Sequence, residues 1–150
     1  MPGELWFYHL ERTTLADALP ELLEKTLDKG WRALVRAPSE DRIDQIDGLL
    51  WTARDDGFLP HGRWDEPDPD RQPILLSLNE DNTNKSDVLF ALDGVEPERP
   101  GDFARCCVVF DAADEGAVQS ARSLWKKAKA DGHAIAYWKQ SIEGRWEKQG

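Results

Sequence analysis

The chain has 150 residues, 40% of them hydrophobic, which fits one domain with a real core and excludes a wholly disordered chain. Its formal net charge of −10 repels nucleic acid unless the few bases are clustered, so direct DNA contact needs a local basic patch or a partner protein. No apolar run approaches the roughly 20 residues that span a bilayer, and the chain opens on charged and aromatic residues rather than a basic region followed by an apolar run, so neither a signal peptide nor membrane contact is expected.

Leu5 to Leu10 reads as a first strand. Thr13 and Thr14 are helix-start residues, Pro20 opens a firmer helical stretch, and Leu19, Leu22, Leu23 and Leu27 recur at helical spacing until Gly30. Ala33 to Ala37 is a second strand, and Ser39 is placed to cap a second helix whose face is Ile43, Ile46, Leu49 and Leu50, with Trp51 close behind. Residues 55 to 72 are rich in Gly, Pro and Asp and read mostly as loop, with a short extended piece at Phe58-Leu59. Ile74 to Leu78 and Val88 to Leu92 are further strands separated by the polar turn Asn79 to Asp87. Arg105 to Phe110 is the most strand-like segment, a long third helix runs from about Asp114 to Asp131 with Gly132 as its stop, and Ala134 to Trp138 is a last strand. Gln140 to Gly150 is polar apart from Trp146.

This order predicts an α/β fold: a single, open, mostly parallel sheet flanked by helices, Rossmann-like but without a nucleotide-binding motif. No linker argues for a second domain, so residues 1–150 form one unit with 141–150 as a polar tail. The adjacent Cys106 and Cys107 point to opposite faces of a strand, cannot easily bridge, and read as reduced core residues of a cytoplasmic protein.

Enzyme motifs are near misses. Thr13, Thr14 and Leu15 occupy the turn where a dinucleotide fold needs glycines. Gly57 to Gly62 has the two-glycine spacing of a phosphate loop, but Arg63 and Trp64 follow in place of Lys and Ser or Thr, and Pro60 removes an amide. No Cys-x-x-Cys or His-Glu-x-x-His is present, the three histidines (His9, His61, His133) are dispersed, and Asp65 to Asp70 reads as a solvated acidic surface. No cofactor and no metal are expected.

The feature that stands out is on the third helix. Arg122, Lys126 and Lys129 share one face beside the apolar Val118, Ala121, Leu124, Trp125 and Ala128. Such a stripe is either a solvated helix end, helped by the macrodipole, or a site for an acidic ligand with an apolar part. A second aromatic cluster, Trp51 with Phe58, Leu59, Pro60 and His61, reads as a core cap. Seven tryptophans are many for this length, and Trp is a favoured anchor at binding sites.

Together, Leu5-Trp6-Phe7-Tyr8, Leu49-Leu50-Trp51 followed by Phe58-Leu59-Pro60-His61, Pro73-Ile74-Leu75-Leu76, and Ala121 to Lys126 through Gly132 with Tyr137-Trp138-Lys139 resemble the chi subunit family of bacterial DNA polymerase III. The resemblance covers nearly the whole chain through order and spacing rather than one motif. It implies a non-catalytic accessory subunit that links the clamp loader, through a small psi subunit where one exists, to single-stranded DNA-binding protein (SSB). The implied contact is with SSB's acidic C-terminal tail, and DNA is touched only indirectly. The positions matching the family's tail pocket are Trp51, Arg122 and Lys126, with Phe58, Pro60 and Trp125 as wall residues. Val118 stands where other members carry a base, and the chain extends through Trp146 further than some. The rival readings are a nucleotide-dependent enzyme on the same fold and an oligomeric scaffold.

Overall fold

A computed structural model describes residues 4–11, 14–52, 59–98, 100–140 and 146–149. The elements are β1 (Glu4–Leu10), α1 (Leu15–Asp28), β2 (Ala33–Arg36), α2 (Glu40–Thr52), β3 (His61–Arg63), β4 (Ile74–Ser77), β5 (Val88–Leu92), β6 (Arg105–Asp111), α3 (Glu115–Ala130), β7 (Ile135–Gln140) and β8 (Trp146–Lys148). The strands form one open sheet in the order β3-β4-β2-β5-β6-β1-β7-β8, parallel throughout except for the antiparallel pair β7–β8. The expected α/β fold with a single, mostly parallel sheet is what forms.

Alternation along the strands divides the core in two. Leu10, Val35, Leu76, Phe90 and Val109 face one side, where Leu19 and Leu23 of α1 and Ile43, Ile46 and Leu50 of α2 cover them. Leu5, Phe7, Leu75, Val108 and Phe110 face the other, under Ala117, Ala121, Leu124 and Ala128 of α3 and Phe103 of the β5–β6 connection. Small alanines on α3 let that helix lie close to β6 and β7. Cys106 and Cys107 fall on opposite faces and do not bridge, and burial pushes the Cys107 thiol up to about 12, so it stays protonated and inert.

Local signals set the helix ends. Thr14 caps α1, its Oγ1 accepting from the Asp17 amide at 3.3 Å, and Asp114 caps α3, its Oδ1 accepting from the Ala117 amide at 3.1 Å. Ser39 Oγ accepts from the Arg42 amide at 3.2 Å at the start of α2. Gly30 and Gly132 stop α1 and α3 at φ +83° and +81°, where an L side chain is strained.

Three expectations are corrected. Pro20 lies inside α1 rather than opening it; its ring is buried against the core, which offsets the lost amide. The extended piece after α2 is at His61–Arg63, two residues beyond Leu59, and Phe58 falls outside the described residues. Trp146 to Lys148 add an edge strand.

Candidate functional site

The third helix presents its bases outward because its alanines and Leu124 are committed to the sheet. Arg122, Lys126, Lys127 and Lys129 are exposed, while Val118 and Trp125 are half-buried at the helix edge. Among the described residues no ion pair involves any of the four bases. Lys129 Nζ lies 4.8 Å from the centre of the Trp125 ring, and Trp125 Nε1 is buried without a hydrogen-bond partner. Half-buried Ile135 and Tyr137 of β7 join Val118 and Trp125 against the same core cluster.

The sheet supplies further groups that the sequence did not single out. His9 of β1 sits in register between Phe110 of β6 and Lys139 of β7. Its ring stacks on Phe110 at 4.8 Å, and its Nδ1 shares a 3.0 Å hydrogen bond with the Tyr137 hydroxyl. Burial lowers the His9 pKa, and the Arg122 and Lys139 charges push the same way while Glu11 and Asp111 oppose them. Burial raises the Tyr137 pKa, and Arg122 counters it. The Arg122 charge thus acts on both His9 and Tyr137. A ligand on this face meets cations from a helix, an imidazole and a phenol from the sheet, and an indole at the helix edge. That combination suits a carboxylate with an apolar neighbour.

The six residues expected to form one pocket are divided. Arg122, Trp125 and Lys126 stand together on α3. Trp51 ends α2, which covers the opposite face near β3 and β4, and Pro60 is exposed just before β3. Strands β4 and β6 are three positions apart, about 14 Å at the usual strand spacing, with the sheet between the two helices. Phe58 lies outside the described residues. Trp51 is 56% exposed and stands edge-on to His61 at 5.3 Å. His61 is held at both nitrogens, 2.7 Å from the Leu59 carbonyl and 2.7 Å from Asp47 Oδ1.

The crevice that a nucleotide would use is also visible. In open α/β sheets ligands bind at the carboxyl ends of strands whose connections leave to opposite faces. Here β1 leads to α1 and β6 leads to α3 on the other face. Among the described residues the crevice between their ends is lined by Asp93, Asp111 and Asp114, and the one base there, Arg42, is bonded to Asp93 at 2.6 Å. This acidic rim repels phosphate. No helix among the described residues is long and apolar enough to cross a membrane.

Comparison with known proteins agrees with this architecture. The family described as DNA polymerase III chi subunit, HolC, matches residues 2–136. A "DNA polymerase III subunit chi" of Pseudomonas aeruginosa is 27% identical over 115 residues, 76% of this chain and 78% of that protein. A "Probable DNA polymerase III subunit chi" of Rickettsia prowazekii is 27% identical over 82 residues, 55% of this chain and half the length of that protein. A family match that runs through six of the eight strands, the start of β7 and all three helices is more than local likeness, and the chain belongs to the DNA polymerase III chi subunit family.

Proposed function

We propose that this chain is a non-catalytic accessory subunit of the polymerase III holoenzyme that links the clamp loader to SSB, and that it binds the acidic C-terminal tail of SSB on the α3 stripe. The single observation that carries this reading is that Arg122 and Lys126 are exposed and, among the described residues, outside any ion pair beside half-buried Trp125 and Tyr137, in a chain whose net charge is −10. Arg122 and Lys126 meet the tail's aspartates and terminal carboxylate, and the terminal apolar side chain packs on Trp125 and Tyr137. The acidic crevice at the strand ends speaks against the rival nucleotide-dependent enzyme.

A linking subunit needs two separated surfaces. Trp51 and Pro60, on the other face and near the far edge of the sheet, offer an apolar contact for the clamp-loader side, through psi where one exists.

Ordering a flexible tail costs entropy, so affinity is on the order of micromolar, weakens with salt, and gains by avidity when many tails line one filament. The test is a calorimetric titration with an SSB C-terminal peptide beside the same peptide with an amidated end. The expected result is binding that falls sharply on amidation. No binding at millimolar peptide, or equal binding of both peptides, overturns the reading.

A further inference from the structure

On the α1 face, at the amino ends of β1, β5 and β6, the structure holds a cavity of about 290 Å³. It lies on the other side of the sheet from α3 and at the other end of the strands from the acidic crevice, so nothing argued above uses it. Its floor and walls are aromatic: Trp6 and Trp138 lie 5.4 Å apart, Trp31 borders one side, and Trp146 of β8 closes another while standing edge-on to Tyr8 at 5.0 Å. The charged residues lining it are Lys25, Lys29 and Arg105, all basic, in a strongly acidic chain. Arg105 pairs with Glu4 and Lys25 with Glu21, each at 3.6 Å, but among the described residues no carboxylate lines the cavity itself, and a local excess of base in such a chain attracts an anion.

The polar groups are more specific than the charge. The Arg105 guanidinium carbon lies 3.7 Å from the centre of the Trp6 ring. Its Nε is buried without a hydrogen-bond partner, in an ion pair with the Glu4 carboxylate at 3.6 Å. Trp138 Nε1 is likewise buried and unpartnered. Buried N–H groups left unsatisfied are uncommon and each costs free energy, and both of these belong to residues that line the cavity. The volume sits at the lower end of the range for small-ligand sites, enough for about one ring and its acid group.

We propose that this cavity binds a small apolar carboxylic acid, its ring or branched chain held among Trp6, Trp31 and Trp146 and its carboxylate accepting from Arg105 and Trp138. The acid is either a free metabolite or the C-terminal residue of a peptide. This site does not depend on the α3 stripe, and the two can be tested apart.

The experiment is tryptophan fluorescence on the full chain, titrated with 3-phenylpropionate, its amide, a neutral peptide ending in phenylalanine, and AMP. Saturable quenching by the acid and not by the amide is expected. In an Arg122→Ala background, which removes the carboxylate contact on α3, Arg105→Met weakens it about tenfold or more and Trp138→Phe, which keeps a ring and removes the N–H, about threefold. If Arg105→Met fails to fold, as judged by circular dichroism, Lys25→Ala/Lys29→Ala on the exposed helix face serves instead and weakens binding about threefold. The stronger of the free acid and the peptide identifies the source. No saturable quenching up to about 10 mM, an equal response to the amide, tighter binding of AMP, or unchanged binding in the folded variants overturns the proposal.

Discussion

At the corner where Trp51 stands edge-on to His61, the nearby base among the described residues is already engaged. Arg63 is bonded to Asp44 and Asp65, and the His61 ring is hydrogen-bonded to Asp47. On α3 the same ingredients, an indole beside basic side chains, are arranged the other way: Arg122 and Lys126 are held out from the sheet with no ion pair among the described residues. The first corner has spent its charge on its own fold and offers the outside an apolar ring. The second has kept its charge for something else. Cations of the first kind are read out in stability, and cations of the second kind in binding.

The largest expected effect tests the first half of that division away from either corner. Arg36 closes on Glu80, whose side chain is only 2% exposed, and reaches Glu98 at 3.1 Å. Arg36→Met keeps most of the stem and leaves a buried carboxylate without its guanidinium, so stability in urea should fall by about 3–5 kcal/mol. A loss below about 1 kcal/mol would mean that an engaged cation is not structural here. Next comes Arg122→Ala. Binding of the SSB tail peptide should weaken by roughly 1–3 kcal/mol, the scale of a lost charged hydrogen bond. Stability in urea should change by no more than about 0.5 kcal/mol, because the side chain is exposed and outside any ion pair among the described residues. A variant that is destabilised yet binds normally would reverse the assignment.

Trp51→Ala is the sharper test of the separation itself. With the sheet between α2 and α3, tail binding should change less than about twofold, while capture of the clamp-loader partner should drop. A loss of tail binding of about tenfold or more would show that one tail reaches both faces, restoring the single pocket that the sequence suggested.

Why the sequence joined what the structure parts is a matter of range. The caps at Thr14, Ser39 and Asp114 and the stops at Gly30 and Gly132 are interactions within a few residues, and all were legible. The face of α3 was legible too, because helical spacing decides it. Strand order was not, and only strand order puts β4 and β6 three positions apart. Strand β3 is made by its pairing with β4 rather than by propensity: Gly62 is its centre, where a Cβ would come within 2.6 Å of the Gln72 side chain. Strand β8 likewise exists through β7. The His9–Tyr137 contact joins residues 128 apart in sequence, so no local signal could have linked either to the Arg122 charge.

That contact yields the smallest effect and the finest placement of the ligand. Burial holds the His9 pKa below its ordinary value of about 6.5, and Arg122 and Lys139 add to the lowering against Glu11 and Asp111. The fold therefore favours the neutral imidazole. This contribution to stability is complete above the unfolded pKa and is lost as pH falls from there through the folded value. A carboxylate docked at Arg122 reverses part of the shift, because an anion close to His9 favours its charged form. Tail binding should then take up a fraction of a proton and tighten as pH falls through the His9 range, by less than the tenfold that one whole unit would give. Titrations in two buffers of different ionisation enthalpy measure that uptake directly, and it should vanish in His9→Gln while binding at high pH persists. Binding without proton uptake would move the carboxylate along α3 towards Lys126 and Lys129, leaving the stripe as the site and Arg122 as its edge.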